Sequence, residues 1–190
     1  QKRLDETARP SRRARVVDAR TMFYVPPVPL GPVTIALIVI SIAVAVFTSL
    51  GKNTQSLQPL SITEYRVEGE YVHWSEELPE IRRGQIWRLF TPMFLHFGIL
   101  HLLFNMLWLR QIGHWIEELY GPSRFLLIYT IAGVTGALLS TLLGTSFFVG
   151  ASGSIFGLYG ALLYYGRSRG GTFGSALFRQ AMLWAVFGFV

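Results

Sequence analysis

The sequence contains no cysteine, and this absence removes several kinds of chemistry at once. Without cysteine the chain has no disulfide, no thiol nucleophile and no thiolate metal site, so redox chemistry gives no information on its compartment. Charged residues are also scarce, at 15% of the 190 residues, whereas hydrophobic residues make up 51%. This balance is typical of a membrane protein rather than of a soluble domain.

Motifs for metal-dependent and acid-pair chemistry are absent as well. No His-Glu-x-x-His sequence occurs, which excludes the helix-borne zinc site of many metalloproteases. Asp5 and Asp18 both lie near the amino terminus, outside any apolar run, so they do not form an intramembrane aspartyl pair. The net charge is +6, but the basic residues flank apolar runs and form no module for nucleic acid. We therefore expect no metal, no cofactor and no nucleic-acid partner.

What the sequence does contain is a series of long apolar runs. They predict membrane spans over residues 33–50, 99–116, 125–143 and 151–165, and a fifth span from 181 onward. The polar connection over 51–97 contains aromatic residues that favour a position at the membrane interface. The predicted fold class is all-α, a polytopic transmembrane helical bundle.

The expected domains are a basic tail over residues 1–31 and one membrane domain over 32–190. Because the chain starts at Gln1 and stops at Val190 within an apolar run, we expect it to be a fragment, with the membrane domain incomplete at its carboxyl end.

Lysine and arginine are distributed unevenly between the predicted connections. Residues 144–150 contain none, whereas the tail contains seven: Lys2, Arg3, Arg9, Arg12, Arg13, Arg15 and Arg20. Short cytoplasmic segments carry the excess of basic residues, so we expect the amino terminus to be cytoplasmic. The sequence thus predicts a multi-pass protein of a lipid bilayer. Its compact plan and short loops favour a bacterial plasma membrane.

Few polar residues fall inside the predicted spans, and three of them lie at similar depth. His101 and Asn105 are four residues apart, so they project from one face of the second span. Ser152 opens the fourth span, and all three residues lie roughly 2 to 10 Å below the outer ends of their spans, at about 1.5 Å per residue. The backbone N–H groups of residues 150–152 head a helix, where negative charge is favoured. This arrangement can hold an oxyanion beside a serine hydroxyl.

The same residues also allow a purely structural interpretation. Glycines at spacings of three and four suit close packing between membrane helices: Gly150, Gly153, Gly157 and Gly160. Histidine and asparagine in membrane helices often serve as hydrogen-bonding partners between helices. Transport is a weaker interpretation, because the polar groups within the spans are His101, Asn105 and Arg110, all in one helix. From the residues alone, packing and catalysis both stay open.

Two segments taken together resemble the rhomboid family of intramembrane serine proteases. They are "WRLFTPMFLHFGILHLLFNMLWL", from Trp87, and "GASGSIFG", from Gly150. The resemblance implies an endopeptidase that needs no cofactor and cleaves peptide bonds in or near the transmembrane segments of membrane-protein substrates. It also implies a rhomboid-like helical bundle.

The resemblance further implies roles for particular residues. Ser152 is the expected nucleophile, and His101 and Asn105 with the Ser152 N–H group form the expected oxyanion hole. The remaining expected site residues are Gly150 and Gly153, which support the loop around the serine, and Trp87 and Arg88, which belong to the interfacial loop.

Two features depart from the family pattern. None of the four histidines follows Ser152, whereas in the family a histidine of the sixth span activates the serine, so we expect the 190-residue chain alone to be inactive. Phe156 stands where many members have tyrosine, and its ring can stack on an imidazole but cannot hydrogen-bond. The alternative function is an inactive rhomboid-like protein that binds membrane clients without cutting them, and the Gly-x-Ser-Gly sequence argues against it.

Overall fold

The computed structural model describes residues 30–68, 71–74, 78–143 and 150–187. The predicted basic tail lies outside these residues except for positions 30 and 31, and so does most of the predicted outer loop, residues 144–149. The amino-terminal charges on which the predicted orientation depends are therefore not part of the described structure.

The described chain is a bundle of five long helices with shorter elements between the first two of them. The long helices are α1 (Pro32–Phe47), α4 (Ile99–Tyr120), α5 (Pro122–Leu142), α6 (Ser152–Arg169) and α7 (Gly171–Phe187). Between α1 and α4 lie α2 (Thr54–Leu57), α3 (Pro79–Arg82), an antiparallel hairpin of β1 (Tyr65–Glu68) and β2 (Tyr71–Trp74), and three 3-10 helices over Gln58–Leu60, Ile86–Leu89 and Thr91–Phe94. In the hairpin Tyr65 pairs with Trp74 and Glu68 with Tyr71.

The predicted helical fold class is confirmed, and the first four predicted spans each correspond to one long helix. Within the described residues α5 is the one helix that is both long and apolar enough to cross a membrane, and α1 is apolar but shorter, at 16 residues. At about 1.5 Å per residue, the 21 residues of α5 measure roughly 32 Å, close to the thickness of a hydrocarbon core. The two short strands are an addition that the sequence analysis did not foresee.

Helix α6 lies between α5 and α7 and also contacts α4, while α1 packs against α4. The buried core comes mainly from α4, α5 and α6 and includes Leu109, Ile112, Ile116, Phe125, Tyr129, Leu158 and Leu162. Small residues let α6 approach its neighbours closely. A Cβ atom at Gly157 would overlap the side chain of Ala132 on α5, and one at Gly166 would lie 2.9 Å from the Gly174 carbonyl on α7.

The predicted start of the fifth span at residue 181 is wrong, because α7 begins ten residues earlier, at Gly171. The buried positions of α7 follow a helical period that starts before residue 181: Gly174, Leu177, Ala181 and Trp184. Arg179 lies on the exposed face of the same helix, so its charge does not interrupt the packing.

A buried carboxylate joins α4 to the start of α1. Glu117 is 7% exposed, and it accepts hydrogen bonds from the backbone N–H groups of Val33 and Thr34 at 2.9 and 3.0 Å and from the Thr34 hydroxyl at 2.8 Å. Residue 31 provides no side-chain cap for α1, so Glu117 satisfies N–H groups that have no partner within the helix. The predicted second span ends at residue 116, so this glutamate lies just outside it.

We expect Glu117→Gln to destabilise the bundle by about 1–3 kcal/mol, because a neutral amide has one acceptor oxygen in place of two and loses the charge that favours a helix amino terminus. Thermal unfolding in detergent micelles measures the change. Glu118→Gln is the matched control, since Glu118 is more exposed and its ion pair with His114 is long, at 3.5 Å. Equal losses in the two variants would contradict the capping role.

Candidate active site

Ser152 is the first residue of α6, and a tight turn over residues 150 and 151 leads into it. Gly150 has a φ of +100°, a conformation that suits glycine. Its N–H group donates to the Pro92 carbonyl at 2.9 Å, which ties the turn to the 3-10 helix before α4. Ala151 provides no side-chain cap, so the N–H groups of the first turn of α6 point out of the helix without a capping side chain. Gly153 follows in the same turn and is partly buried.

The imidazole of His101 lies directly against this turn. A Cβ atom at Gly150 would lie 2.8 Å from both Cε1 and Nε2 of the ring. On the other side of the ring, the Phe97 N–H group donates to Nδ1 at 3.3 Å. An accepting Nδ1 places the proton of a neutral imidazole on Nε2. His101 therefore presents an N–H donor to the segment that leads into Ser152.

Asn105 lies one helical turn below His101 and is 7% exposed. Its side-chain amide donates to the His101 carbonyl at 2.8 Å, so one of its hydrogens is engaged within α4. Within the described residues, no hydrogen bond joins the Ser152 hydroxyl to His101 or Asn105. Among the described residues, the structure thus brings the His101 ring against Gly150.

Trp87 and Arg88 lie on a 3-10 helix of the connection, and their side chains bind the backbone of an earlier segment. Arg88 is 5% exposed and donates to the carbonyls of Gln58 and Ser61 at 2.7 and 2.8 Å. The indole N–H of Trp87 donates to the Pro59 carbonyl at 3.1 Å, although the ring is 48% exposed. These bonds hold residues 58–61 against the segment that precedes α4.

Three further polar residues extend the frame of hydrogen bonds around Trp87 and Arg88, and they were not predicted from the sequence. Gln85 accepts from Arg88 Nε at 2.7 Å and donates to Glu80 at 2.8 Å. Glu80 is 6% exposed, and the Thr91 hydroxyl donates to the Leu60 carbonyl at 2.6 Å. A glutamine three residues before Arg88 was the only local signal, because the other bonds depend on segments that meet in the fold.

His96 is fully buried beside the site, with its ring centre 5.2 Å from that of His101. Its Nδ1 lies 3.1 Å from the Phe94 carbonyl, which only accepts, so Nδ1 carries the proton. Burial, followed by the proximity of His101, lowers the pKa of His96 to about 4. The ring is consequently neutral at pH 7 and a weaker base than an ordinary histidine.

We expect Arg88→Lys to destabilise the connection before α4 by about 1–3 kcal/mol, because an ammonium group does not reproduce the planar fork that serves three acceptors. Thermal unfolding, with limited proteolysis of residues 51–97, measures the effect. Arg82→Lys is the matched control, as Arg82 is exposed in the same connection. Unchanged stability and proteolysis in Arg88→Lys would refute the structural role.

Comparisons with known proteins show which family the chain resembles. A family model described as Rhomboid domain matches residues 83–190, more than half of the chain. The chain is 52% identical over 84 residues to rhomboid protease GluP of Bacillus subtilis (strain 168). This alignment covers 44% of this chain and 17% of that protein.

Two further relatives come from eukaryotes. RHOMBOID-like protein 1 of Arabidopsis thaliana is 46% identical over 84 residues, covering 44% of this chain and 22% of that protein. Rhomboid-like protease 3 of Toxoplasma gondii is 40% identical over 85 residues, covering 44% and 32%. The alignments with these three relatives span a third of their length or less. The match to the family model, which includes Arg88 and the turn at Ser152, places the chain in the rhomboid family.

Proposed function

We propose that this protein is an intramembrane serine endopeptidase that cleaves peptide bonds in or near the transmembrane segments of other membrane proteins. The observation that carries the proposal is the position of the His101 imidazole against the turn that leads into Ser152. A hydroxyl at a helix amino terminus and an N–H donor beside it are two of the three parts that acyl transfer by serine requires, the third being a base. Relatives named as proteases in bacteria and in Toxoplasma support the same reaction class.

In this proposal the Ser152 oxygen attacks the scissile carbonyl while its proton passes to a histidine base. The carbonyl oxygen becomes an oxyanion, which the Ser152 N–H, His101 Nε2–H and Asn105 side-chain amide stabilise. The C–N bond then breaks, the base returns the proton to the leaving amine, and water hydrolyses the acyl-enzyme. Gly150 and Gly153 support the serine by allowing the tight turn and the close approach of His101.

The base is proposed to be a histidine outside these 190 residues. No histidine follows Ser152 in the sequence, and the Nδ1 atom of His101 accepts a hydrogen bond from the Phe97 N–H group, which leaves the proton of the neutral ring on Nε2. His96 is the remaining neighbour of the site, but with a pKa of about 4 it binds a proton weakly at pH 7. Phe156 lies one turn after Ser152, where a phenyl ring can stack on an incoming imidazole.

The proposed setting is a bacterial plasma membrane with the amino terminus in the cytoplasm. The bilayer and transmembrane protein substrates are the expected partners, and the frame around Trp87 and Arg88 forms the interfacial loop near the site. Exposed arginines at the α6–α7 junction, Arg167 and Arg169, agree with a cytoplasmic position for this end of the bundle. An inactive client-binding protein is the alternative, and it does not require the hydroxyl of Ser152.

Ser152→Ala in the full-length protein is expected to abolish cleavage of a transmembrane substrate in liposomes, because no other group replaces the nucleophile. Ser168→Ala, on the exposed end of α6, is the matched control and should retain activity. The 190-residue chain should be inactive and should react slowly with a fluorophosphonate probe. Undiminished cleavage by Ser152→Ala would overturn the proposed function, whereas rapid labelling of the short chain would show that the base lies within these residues.

Asn105→Ala is expected to lower kcat by about a hundredfold or more while KM changes little, because an oxyanion donor acts mainly in the transition state. Initial rates over a range of substrate concentrations separate the two constants. Leu107→Ala, on the exposed face of the same helix, serves as the control. A change confined to KM would make Asn105 a docking or packing residue.

A further inference from the structure

Two buried hydroxyl groups lie near each other between α5 and α6. Tyr129 on α5 and Ser154 on α6 are both 0% exposed, and Ser154 is the side chain within interaction range of the Tyr129 hydroxyl. Neither hydroxyl reaches hydrogen-bond geometry with a described residue. Nothing in the proposed reaction uses either of them. A buried hydroxyl without a partner is unfavourable, so a pair placed near each other calls for an explanation.

The surroundings of Ser154 leave it little freedom. Gly133 lies one turn along α5 from Tyr129, and a Cβ atom there would overlap the Ser154 oxygen. The same added atom would lie 2.9 Å from the methyl group of Met93, on the 3-10 helix whose Pro92 carbonyl binds the Gly150 N–H group. Ser154 is therefore enclosed by α5 and by the segment that also holds the turn before Ser152.

The two serines lie on different sides of α6. At 3.6 residues per turn, residues 152 and 154 are about 200° apart around the helix axis. Ser152 is partly buried at the start of the helix, whereas Ser154 is fully buried against α5. Because both belong to the first turn, a shift of Ser154 away from α5 moves the Ser152 hydroxyl and N–H group with it.

We propose that the Tyr129 and Ser154 hydroxyls form a polar anchor that fixes the first turn of α6 on α5, and that both are positioning residues for Ser152. The inference rests on the proposed function for its catalytic consequence. The anchor acts through interaction of the two hydroxyls, and the space at Gly133 allows the serine to reach the tyrosine. Catalytic geometry tolerates displacements of less than about 1 Å, so a loosened first turn lowers turnover before it unfolds the helix.

The test compares Tyr129→Phe, Ser154→Ala and the double variant in the full-length protein reconstituted in liposomes. For each variant kcat, KM, the rate of fluorophosphonate labelling at Ser152 and the thermal midpoint are measured. Tyr164→Phe and Ser168→Ala make the same chemical changes at exposed positions of α6 and are the matched controls.

We expect each single variant to lower kcat and the labelling rate about tenfold, because loss of either hydroxyl loosens the first turn of α6, with KM and the folded fraction unchanged. The double variant should lose no more than either single one, because each substitution removes the same interaction. Multiplicative losses, wild-type kcat in the single variants, or losses that follow the unfolded fraction would each overturn the anchor.

A second pair of variants separates the polar contact from simple packing. Gly133→Ala places a methyl group against the Ser154 oxygen and should lower kcat, and Ser154→Ala in the same chain should restore part of it. If kcat is not restored in that double variant, the result counts against the enclosed position of Ser154.

Ser152→Ala distinguishes the two proposals. If that variant stays active, the proposed function fails. If Ser152→Ala is inactive while Tyr129→Phe and Ser154→Ala are fully active, only the anchor is rejected.

Discussion

The hydrogen bond from the Gly150 N–H group to the Pro92 carbonyl connects the two parts of the candidate site. Pro92 belongs to the segment that precedes α4 and His101, and Gly150 belongs to the turn that precedes Ser152. The positive φ of Gly150 and its missing side chain are both needed, because the His101 ring occupies the space where a Cβ atom would lie. One backbone contact thus sets the distance between the helix start and the imidazole.

The other buried polar groups also help to position the candidate site, because they bind backbone atoms that the bundle would otherwise leave unpaired. Glu117 binds the start of α1, and Arg88 binds two carbonyls of the connection. In apolar surroundings an unpaired backbone group is costly, so these side chains fix where α1 and the connection lie against α4. Since α4 carries His101 and Asn105, its position determines the site.

The sequence predicts the long helices well because an apolar run of sufficient length has few alternatives in a membrane. It fails where a helix contains small and polar residues, as at the start of α7, since the close contact of Gly166 with Gly174 depends on two segments meeting. Glu117 was overlooked for a related reason: a charge near the end of a span normally faces water, and its partners on α1 are more than eighty residues away. The nearness of His101 to the turn at Gly150 could be expected from the sequence, because helix spacing and depth are local properties. The tautomer of His101 could not be expected, because it depends on the backbone of Phe97.

Close packing and the proposed catalysis, the two interpretations that the sequence left open for the stretch around Ser152, involve different sides of α6. Gly157 and Ser154 face α5, where Ala132 and Gly133 leave room for a tight approach. The turn at Gly150 is buried against the His101 ring, and Ser152, which follows it, is only partly buried. Small residues on one side bring α6 close enough to be held rigidly, and a rigid helix is what allows a hydroxyl on the other side to stay in register with fixed donors. The close packing at Gly157 is therefore compatible with the proposed role of Ser152, whereas a Cβ atom at Gly160 would meet no described atom within 4 Å.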